Sequence, residues 1–445
     1  MNRFVMMMAL ALVSSSCGTR KNPEFCTSSA DCADPTKPFC DVNGDFGDLR
    51  DDCIATPIDG GLDASRCTPG AALACSADTL TTCATTGVTT TEVPCPLGCA
   101  TTGAIRCLSF EPSNGLGAAL AGATGQPDVV FPQNATLDTD LGIVTAPDGT
   151  KVAVKSIVVQ QLDGLPSIRA FQAGSFVMDN VLIVGTNSLA FVAPGAITVR
   201  GKLDASATAA KGGPGSQEFT AVCIGVDAAA RTCGFGAGGG GNATMGGGGT
   251  GATGPTLGGS MIPGFEPLVG GCRGGNIVGG SSTVVSNGGG GGGGVELVSL
   301  TSVSISGLID LGGGGGASGA GGGSAGTLII EAPRISLVAP GGFVANGGAG
   351  GGCGGAGSDG PSTSVVATNA GCAAAGKGGT SSTPPTTSAQ CSQTTGCSCA
   401  LNDPPEPGGG GAAGRARIVT LDGQFQTSGA PIVDAVITRA QLTIE

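Results

Sequence analysis

The amino-acid sequence predicts an all-β fold, a solenoid of short stacked strands with long glycine-rich loops, preceded by small disulfide-rich modules. Three observations support this prediction. Apolar and polar residues alternate beyond residue 150, glycine accounts for 86 of the 445 residues, and ten of the 19 cysteines lie between Cys26 and Cys107. Period-two alternation is typical of strands, and clustered cysteines are typical of modules whose cores are too small to fold without cross-links.

The first residues resemble an export signal. One positive charge precedes an apolar run over residues 4–13, which is too short for a permanent membrane-spanning helix. Residues 14–16 are serines and Cys17 follows, which resembles a bacterial lipoprotein signal whose cysteine is lipidated and becomes the new N-terminus. The sequence therefore predicts a signal peptide over residues 1–16 and lipidation of Cys17. Cleavage to a secreted product is the alternative, because Ser14 stands where that signal usually has Leu, Val or Ile.

The cysteine count agrees with export. An odd total of 19 leaves one cysteine unpaired in an oxidising compartment, and setting Cys17 aside leaves two even sets. Ten cysteines lie from Cys26 to Cys107 and eight from Cys223 to Cys399, so disulfides are predicted to close within each set. The first set suggests two modules, one with the cysteines from Cys26 to Cys53 and one with those from Cys67 to Cys107.

Composition then divides the mature chain into three regions. Residues 17–110 are the Cys-rich modules, residues 111–125 have the composition of a linker, and residues 126–445 are the glycine-rich solenoid domain. Because alternation sends every second side chain of a strand to one face, five aliphatic residues of this domain are predicted to share a continuous core: Val199, Leu203, Ile305, Ile309 and Ile330.

The strands of the third region repeat weakly and are separated by long insertions. Residues 197–204 (ITVRGKLD) and 305–310 (ISGLID) share one pattern, and such self-similarity with variable insertions is typical of a solenoid. Either the insertions are mobile loops, or backbone hydrogen bonds between them impose order, since glycine has no Cβ to keep chains apart. They are the glycine tracts over residues 212–259, 270–294, 312–326 and 347–414.

Together these features resemble the glycine-rich parallel β-helix surface lipoproteins of myxobacterial type. The resemblance rests on the lipoprotein-like start, the Cys-rich spacer modules, and strands such as A-I-T-V-R-G-K-L-D-A-S that are interrupted by glycine-rich loops. It covers nearly the whole chain and implies a right-handed parallel β-helix and a location at the outer membrane or cell surface. The family carries no activity that can be assigned to particular residues.

Composition also restricts the chemistry. The chain has no His and no Tyr, which excludes histidine-based triads and histidine metal centres. A net charge of −12 and the absence of Trp and Tyr argue against nucleic acid as a partner. Paired carboxylates, as in glycosidases, and carboxylate-bound calcium, as in polysaccharide lyases, stay open.

Asp204 and Asp310 are the candidate catalytic pair, because both follow an aliphatic residue at matching places in the aligned pattern. Ala345 takes that place in the next recognisable repeat, and further coils are expected to separate the two acids. Solvated surface carboxylates are therefore the preferred interpretation, and no catalytic residue is predicted.

No cofactor is predicted, and calcium is the one that stays open. Residues 354–359 (GGAGSD) fit the start of a calcium-binding nonapeptide repeat, but this segment stands alone and Gly-Pro follows it. An acidic loop has the alternate spacing of an EF-hand but places Phe46 where that loop needs glycine, so a solvated loop is preferred. Its acids are Asp41, Asp45, Asp48, Asp51 and Asp52.

Two other motifs have a simpler interpretation. Cys391, Cys397 and Cys399 have the chemistry of zinc ligands, but export favours disulfides. Asn134 and Asn242 each begin an N-A-T glycosylation acceptor, which a bacterial protein rarely uses.

The sequence therefore predicts a non-catalytic structural or adhesive lipoprotein, held at the cell surface by a lipid anchor. Its expected partners are extracellular matrix, polysaccharide or other copies of itself. The alternative is an envelope protein that binds or degrades polysaccharide along a β-helix face, through a carboxylate-based lyase or hydrolase activity. Sugars usually stack on aromatic rings, and only 14 Phe are available, which favours the structural function.

Overall fold

The computed structural model describes residues 26–28, 31–34, 37, 39–40, 52–54, 67–76, 78–85, 89–100, 103–162, 164–209, 211–216, 223–230, 235–250, 255–279, 282–389 and 406–444. These residues divide into two compact units, one within Met1–Ala74 and Thr81–Val93 and the other within Cys75–Leu80 and Pro94–Glu445. Several predicted features lie outside the described residues: the signal peptide, Cys17, Asp41, Asp45, Asp48, Asp51, Cys391, Cys397 and Cys399.

The described residues form strands and few helices, which confirms the predicted all-β class. The N-terminal part contains β1 (Phe39–Cys40), β2 (Cys53–Ile54), β3 (Ala72–Ser76), β4 (Thr79–Cys83), β5 (Thr90–Pro94), β6 (Cys99–Ala100) and β7 (Arg106–Cys107). A 3₁₀ turn over Ser113–Gly115 and helix α1 over Gly117–Ala123 follow.

The remaining strands are short and follow one another closely, apart from three long connections. They are β8 (Val129–Val130), β9 (Ala135–Asp138), β10 (Ile143–Thr145), β11 (Lys151–Val152), β12 (Lys155–Val159), β13 (Ile168–Gln172), β14 (Phe176–Met178), β15 (Val181–Val184), β16 (Ser188–Ala193), β17 (Ile197–Val199), β18 (Lys202–Asp204), β19 (Ala228–Ala229), β20 (Ile277–Val278), β21 (Val284–Ser286), β22 (Gly294–Ser299), β23 (Ser302–Ile305), β24 (Leu308–Asp310), β25 (Thr327–Glu331), β26 (Arg334–Val338), β27 (Gly342–Val344), β28 (Arg415–Thr420), β29 (Gln426–Ser428), β30 (Ile432–Asp434) and β31 (Val436–Gln441).

Disulfides cross-link the N-terminal part, as predicted. Two pairs join cysteines of the first predicted module: Cys26–Cys40 and Cys32–Cys53. Three pairs join cysteines of the second: Cys67–Cys83, Cys75–Cys99 and Cys95–Cys107. Two more lie in the glycine-rich region, Cys223–Cys272 and Cys353–Cys372. Each of these disulfides joins cysteines of the same predicted set.

Three large sheets dominate the second unit, and their pairing is mixed. The six-stranded sheet has the order β29-β26-β23-β17-β14-β8, and its neighbours are parallel. The seven-stranded sheet, β12-β13-β16-β22-β25-β28-β31, is parallel except for β12 and β13. The eight-stranded sheet, β11-β10-β9-β15-β18-β24-β27-β30, begins with antiparallel pairs and is parallel from β9 onward.

Successive strands enter these sheets in a fixed order. β16, β17 and β18 lie in the seven-, six- and eight-stranded sheets respectively, and β22 to β24, β25 to β27 and β28 to β30 repeat that order. Within each triplet the turns are short. The long connections over residues 205–293, 311–326 and 345–414 each leave the eight-stranded sheet and return to the seven-stranded sheet. Because the strands pair in register, all three connections emerge at the same corner.

One hydrophobic cluster fills the space between the three sheets. The five aliphatic residues that were predicted to share a core are completely buried in it, which confirms that prediction. Val199 pairs with Ile305, and Leu203 with Ile309, so equivalent side chains stack on neighbouring strands. Short aliphatic layers of this kind need few aromatic rings, which agrees with the composition.

The segment with linker composition is packed in the structure. Residues 110–123, which we call the strap, lie on the outward face of the seven-stranded sheet. The strap's small residues let the helix approach the sheet closely, and its larger apolar residues fill the contact. The strap side chains buried against the sheet are Phe110, Leu116, Ala119 and Leu120.

None of the helices in the described part of the chain has the length and apolar character that a membrane crossing requires.

Candidate functional site

Several described segments of the glycine tracts are ordered and buried, so the hydrogen-bonded alternative is the one observed for these segments. These segments belong to no strand or helix, yet solvent barely reaches them. We call them together the glycine lattice, and its segments are residues 235–241, 270–275, 288–293, 311–316, 319–326, 345–351 and 408–414.

The segment at residues 319–326 lies at the centre of the lattice. Its backbone N–H groups donate to three neighbouring segments in rotation, so that residues three apart donate to the same neighbour. The donor–acceptor pairs are Gly321 to Gly275 and Ser324 to Cys272, Gly322 to Gly409 and Ala325 to Ala412, and Gly323 to Gly314 and Gly326 to Leu311.

The carbonyl groups of the same segment accept from three other segments in the same rotation. A backbone with a three-residue repeat whose hydrogen bonds run to its neighbours is typical of polyproline-II-type chains. The central segment is thus surrounded by six hydrogen-bonded neighbours. The donors are Gly289 to Gly321 and Gly292 to Ser324, Ala237 to Gly319 and Gly240 to Gly322, and Gly351 to Ala320 and Gly348 to Gly323.

Glycine is required at three successive positions of the central segment, one on each of its three faces. A Cβ on Gly321 would overlap the carbonyl oxygen of Gly238, one on Gly322 that of Gly348, and one on Gly323 that of Gly290. In collagen only one face of each chain is crowded, so glycine recurs at every third position. At Gly321 to Gly323 all three faces are crowded, which explains the consecutive glycines there, whereas Ala320, Ser324 and Ala325 on either side have room for a Cβ.

Hydrogen bonding offsets the entropy that the lattice loses on ordering. A glycine costs roughly 0.5–1 kcal/mol more than alanine to order. Each backbone hydrogen bond contributes about 1 kcal/mol net, and the buried N–H groups would carry a larger penalty if unpaired. Cys223–Cys272 and Cys353–Cys372 add covalent cross-links to the connections that carry the lattice.

The sequence-predicted carboxylates lie side by side in the structure. β18 and β24 are neighbours, with Asp204 opposite Asp310, so the expectation that other coils separate them is wrong. The described part of the connection over residues 205–293 lies outside the three large sheets, and β22 and β23 lead from its end to β24. The residue opposite Asp310 on β27 is Val344, not Ala345, because the strand register differs by one residue from the sequence alignment.

One lysine pairs with both carboxylates. Nζ of Lys202 lies 2.8 Å from Oδ2 of Asp204 and 2.8 Å from Oδ2 of Asp310. Burial raises the pKa of Asp310. Burial also acts to raise the pKa of Asp204, but hydrogen bonds from Lys202 and Ser206 outweigh it and lower that pKa. The cluster is therefore an ion-paired group that joins neighbouring strands, in which Lys202 supplies the positive charge.

Replacing Lys202 by Met is expected to destabilise the protein by about 1–3 kcal/mol near neutral pH, because two adjacent carboxylates lose their donor. Without the lysine, burial and mutual repulsion raise both carboxyl pKa values in the folded state. Stability is then lost as pH rises through those values, so the deficit should shrink in acid. Urea unfolding of the wild type and of Lys202→Met at acidic and neutral pH measures the stability deficit of the variant. An equal deficit at both pH values would contradict the ion pair. The double variant Lys202→Met with Asp310→Asn should recover part of the lost stability.

The calcium and glycosylation candidates have structural contacts. Oδ1 of Asp359 accepts the backbone N–H groups of Ala209 at 2.9 Å and Gly315 at 2.7 Å, so this carboxylate joins two connections. Asn242 is fully buried, and its Nδ2 donates to the carbonyls of Ala325 and Gly326, which closes it to modification in the folded chain. Asn134 is exposed, at a turn with φ of 60°.

A polar cluster that the sequence analysis missed lies on the outward face of the seven-stranded sheet. A cavity of about 310 Å³ opens there between the strap, the sheet and the last strand. Arg417 and Glu331 line it, and Nη1 of Arg417 lies 3.4 Å from Oε1 of Glu266. Ser113 of the strap donates to Glu331 through its backbone N–H at 2.9 Å and its hydroxyl at 2.7 Å.

A second glutamate lies beneath the strap. Glu296 is completely buried, and its Oε2 accepts a 2.8 Å hydrogen bond from Nδ2 of Asn114. Burial raises the pKa of Glu296 well above its usual range, and burial raises that of Glu331 as well. One sequence signal pointed to this pair. A single acid lies within each of two apolar segments, VELV and LIIE, and both segments are strands that are buried on both faces.

Comparison of the chain with protein-family models, with curated proteins and with solved structures finds no match.

Proposed function

We propose that this protein is a non-catalytic structural or adhesive component of the cell surface, in which a parallel β-helix supports the glycine lattice. The lattice is the observation that carries the proposal. Its segments bond to one another through their backbones and present few side chains, so it provides a stiff body with little catalytic chemistry.

The β-helix is supported by the order of the strands. Each triplet places one strand in each of the three sheets, and each strand pairs in parallel with its equivalent in the next triplet. A stack of such coils buries one continuous core and directs its insertions outward, as repeat proteins do. Insertions from successive coils that leave at one corner lie beside each other, which is the arrangement that the lattice needs.

Export and anchoring complete the proposal. Disulfides persist in oxidising compartments, and seven of them among the described residues support a location outside the cytoplasm. We infer a lipid anchor at Cys17 in the outer membrane or cell surface. The partners that fit are extracellular matrix, polysaccharide or other copies of the chain.

The carboxylates support a structural function better than polysaccharide degradation. A glycosidase needs two carboxyl groups facing a bound sugar across a groove. Asp204 and Asp310 instead share one lysine, and both oxygens of Glu331 are occupied by Ser113.

Cell cohesion tests this function. Cells that produce the Gly322→Ala chain are expected to lose cohesion or attachment, because the substitution disrupts the lattice, whereas Asp204→Asn should leave both unchanged. Surface labelling at matched protein levels is the control, and Cys17→Ala should release the protein from the membrane fraction. Cohesion that survives Gly322→Ala but fails with Asp204→Asn would favour a carbohydrate-active protein instead.

A further inference from the structure

Two buried glutamates hold the strap in place. Glu331 accepts both hydrogen bonds of Ser113, and Glu296 accepts one from Asn114, so adjacent strap residues are tied to two strands of the seven-stranded sheet. The rest of the strap adds apolar packing and a 2.6 Å hydrogen bond from Nε2 of Gln172 to the carbonyl of Ala119. The turn at Ser113–Gly115 is thus the polar attachment point of the strap.

In the contact between Glu296 and Asn114, two acceptor oxygens have no hydrogen-bond donor. Among the described residues, no donor reaches Oε1 of Glu296 or Oδ1 of Asn114, and both atoms are buried. When a primary amide donates to a carboxyl through the N–H that is cis to its own oxygen, the other oxygen of each group faces that of its partner. Two acceptor oxygens with no proton between them repel each other, whereas a proton on the carboxyl converts that contact into a second hydrogen bond.

We propose that Glu296 carries a proton in the folded protein and donates it from Oε1 to Oδ1 of Asn114. The proton closes a cyclic acid–amide pair and makes the strap a proton-dependent latch. This inference concerns the strap alone and does not depend on the proposed surface function.

The surroundings of Glu296 favour the neutral acid. Complete burial raises its pKa, and the nearby negative charge of Glu331 raises it further. The other charged groups that act on it are Glu266, on the connection before β20, and Arg417 on β28. Arg417 favours the charged form, but it lies closer to the exposed Glu266, with which it pairs.

The direction of the pH dependence follows from the raised pKa. The latch contributes its full stability below the pKa of Glu296 in the unfolded chain, and that stability is lost as pH rises through the higher folded-state pKa. Ionisation then places a second negative charge beside Glu331 and restores the repulsion between the two oxygens. Opening of the strap would uncover an apolar face formed by Ala170, Ala190, Val192, Val298 and Ile329.

Amide hydrogen exchange in the full chain tests the latch. After correction for the intrinsic effect of pH, protection of residues 113–123 in the wild type is expected to fall about tenfold or more between about pH 5 and about pH 9. Glu296→Gln should keep its protection at both pH values, because the glutamine amide reproduces both hydrogen bonds of the neutral acid. Glu266→Gln is the matched control and should follow the wild type.

A titration of the wild-type protein gives a second readout that needs no variant to fold well. The side-chain carboxyl carbon of Glu296, identified in carbon-13 spectra by its loss in Glu296→Gln, is expected to titrate far above the ordinary glutamate range. A titration in the ordinary range, near about 4.3, would overturn the proposal. So would a Glu296→Gln protein whose strap protection falls with pH as steeply as that of the wild type.

Discussion

Replacing Gly322 by Ala is expected to lower the free energy of unfolding by about 1–3 kcal/mol or more, although the change adds only one methyl group. The new Cβ would overlap the carbonyl oxygen of Gly348, and Gly322 itself donates to Gly409 and accepts from Gly240. Relief of the overlap therefore has to separate segments that are hydrogen-bonded to one another. Urea-induced unfolding, followed by circular dichroism, measures the loss.

Gly355→Ala, in the connection over residues 345–414, is the matched control. A Cβ on Gly355 would meet its nearest atom, the carbonyl oxygen of Gly352, at an ordinary 3.6 Å. This variant should stay within about 0.5 kcal/mol of the wild type. Equal stability of the two variants would mean that the lattice is not the close-packed body described above.

Ile305→Asp is expected to cost several kcal/mol, the largest effect of any single substitution considered for this chain. Ile305 is completely buried on β23 between Val199 and Leu337 of the neighbouring strands, and an aspartate there would have no polar partner in the hydrophobic cluster. The triplet should open locally and expose the adjoining connections. Limited proteolysis, with mass spectrometry of the fragments, should find new cleavage sites within residues 205–293 and 311–326.

Ser304→Asp supplies the control for this substitution. Ser304 precedes Ile305 and points to the opposite, outward face of the six-stranded sheet, where it lies between Thr198 and Ser336. Water can solvate a carboxylate on that face, so cleavage should stay close to that of the wild type. If both variants were cleaved alike, the assignment of inward and outward faces on β23 would be wrong.

Features set by short stretches of sequence could be predicted. Alternation identified the strands and the faces of Val199 and Ile305, because a strand directs side chains by a two-residue period wherever it pairs. The even cysteine counts on either side of the predicted linker separated the disulfide sets. The all-β class and the N-terminal disulfides followed from these local rules.

Features that depend on the stacking of distant segments could not be predicted. Asp204 and Asp310 are adjacent only because the whole connection between them leaves the sheets, and no spacing rule states this. The same holds for Glu296, whose partner Asn114 comes from a segment with the composition of a linker. The order of the glycine tracts depends on several connections emerging at one corner, which can be seen only once the strand register is known.

The measurement that tests the lattice most directly is amide hydrogen exchange of residues 288–293 and 408–411 in the oxidised full chain. The lattice predicts that these glycines exchange as slowly as the buried strands β22 and β25, because their N–H groups are buried and the segments are bonded to neighbours on several sides. Exchange at the rate of an unstructured chain, while β22 and β25 stay protected, would show that the tracts are mobile loops and would contradict the account.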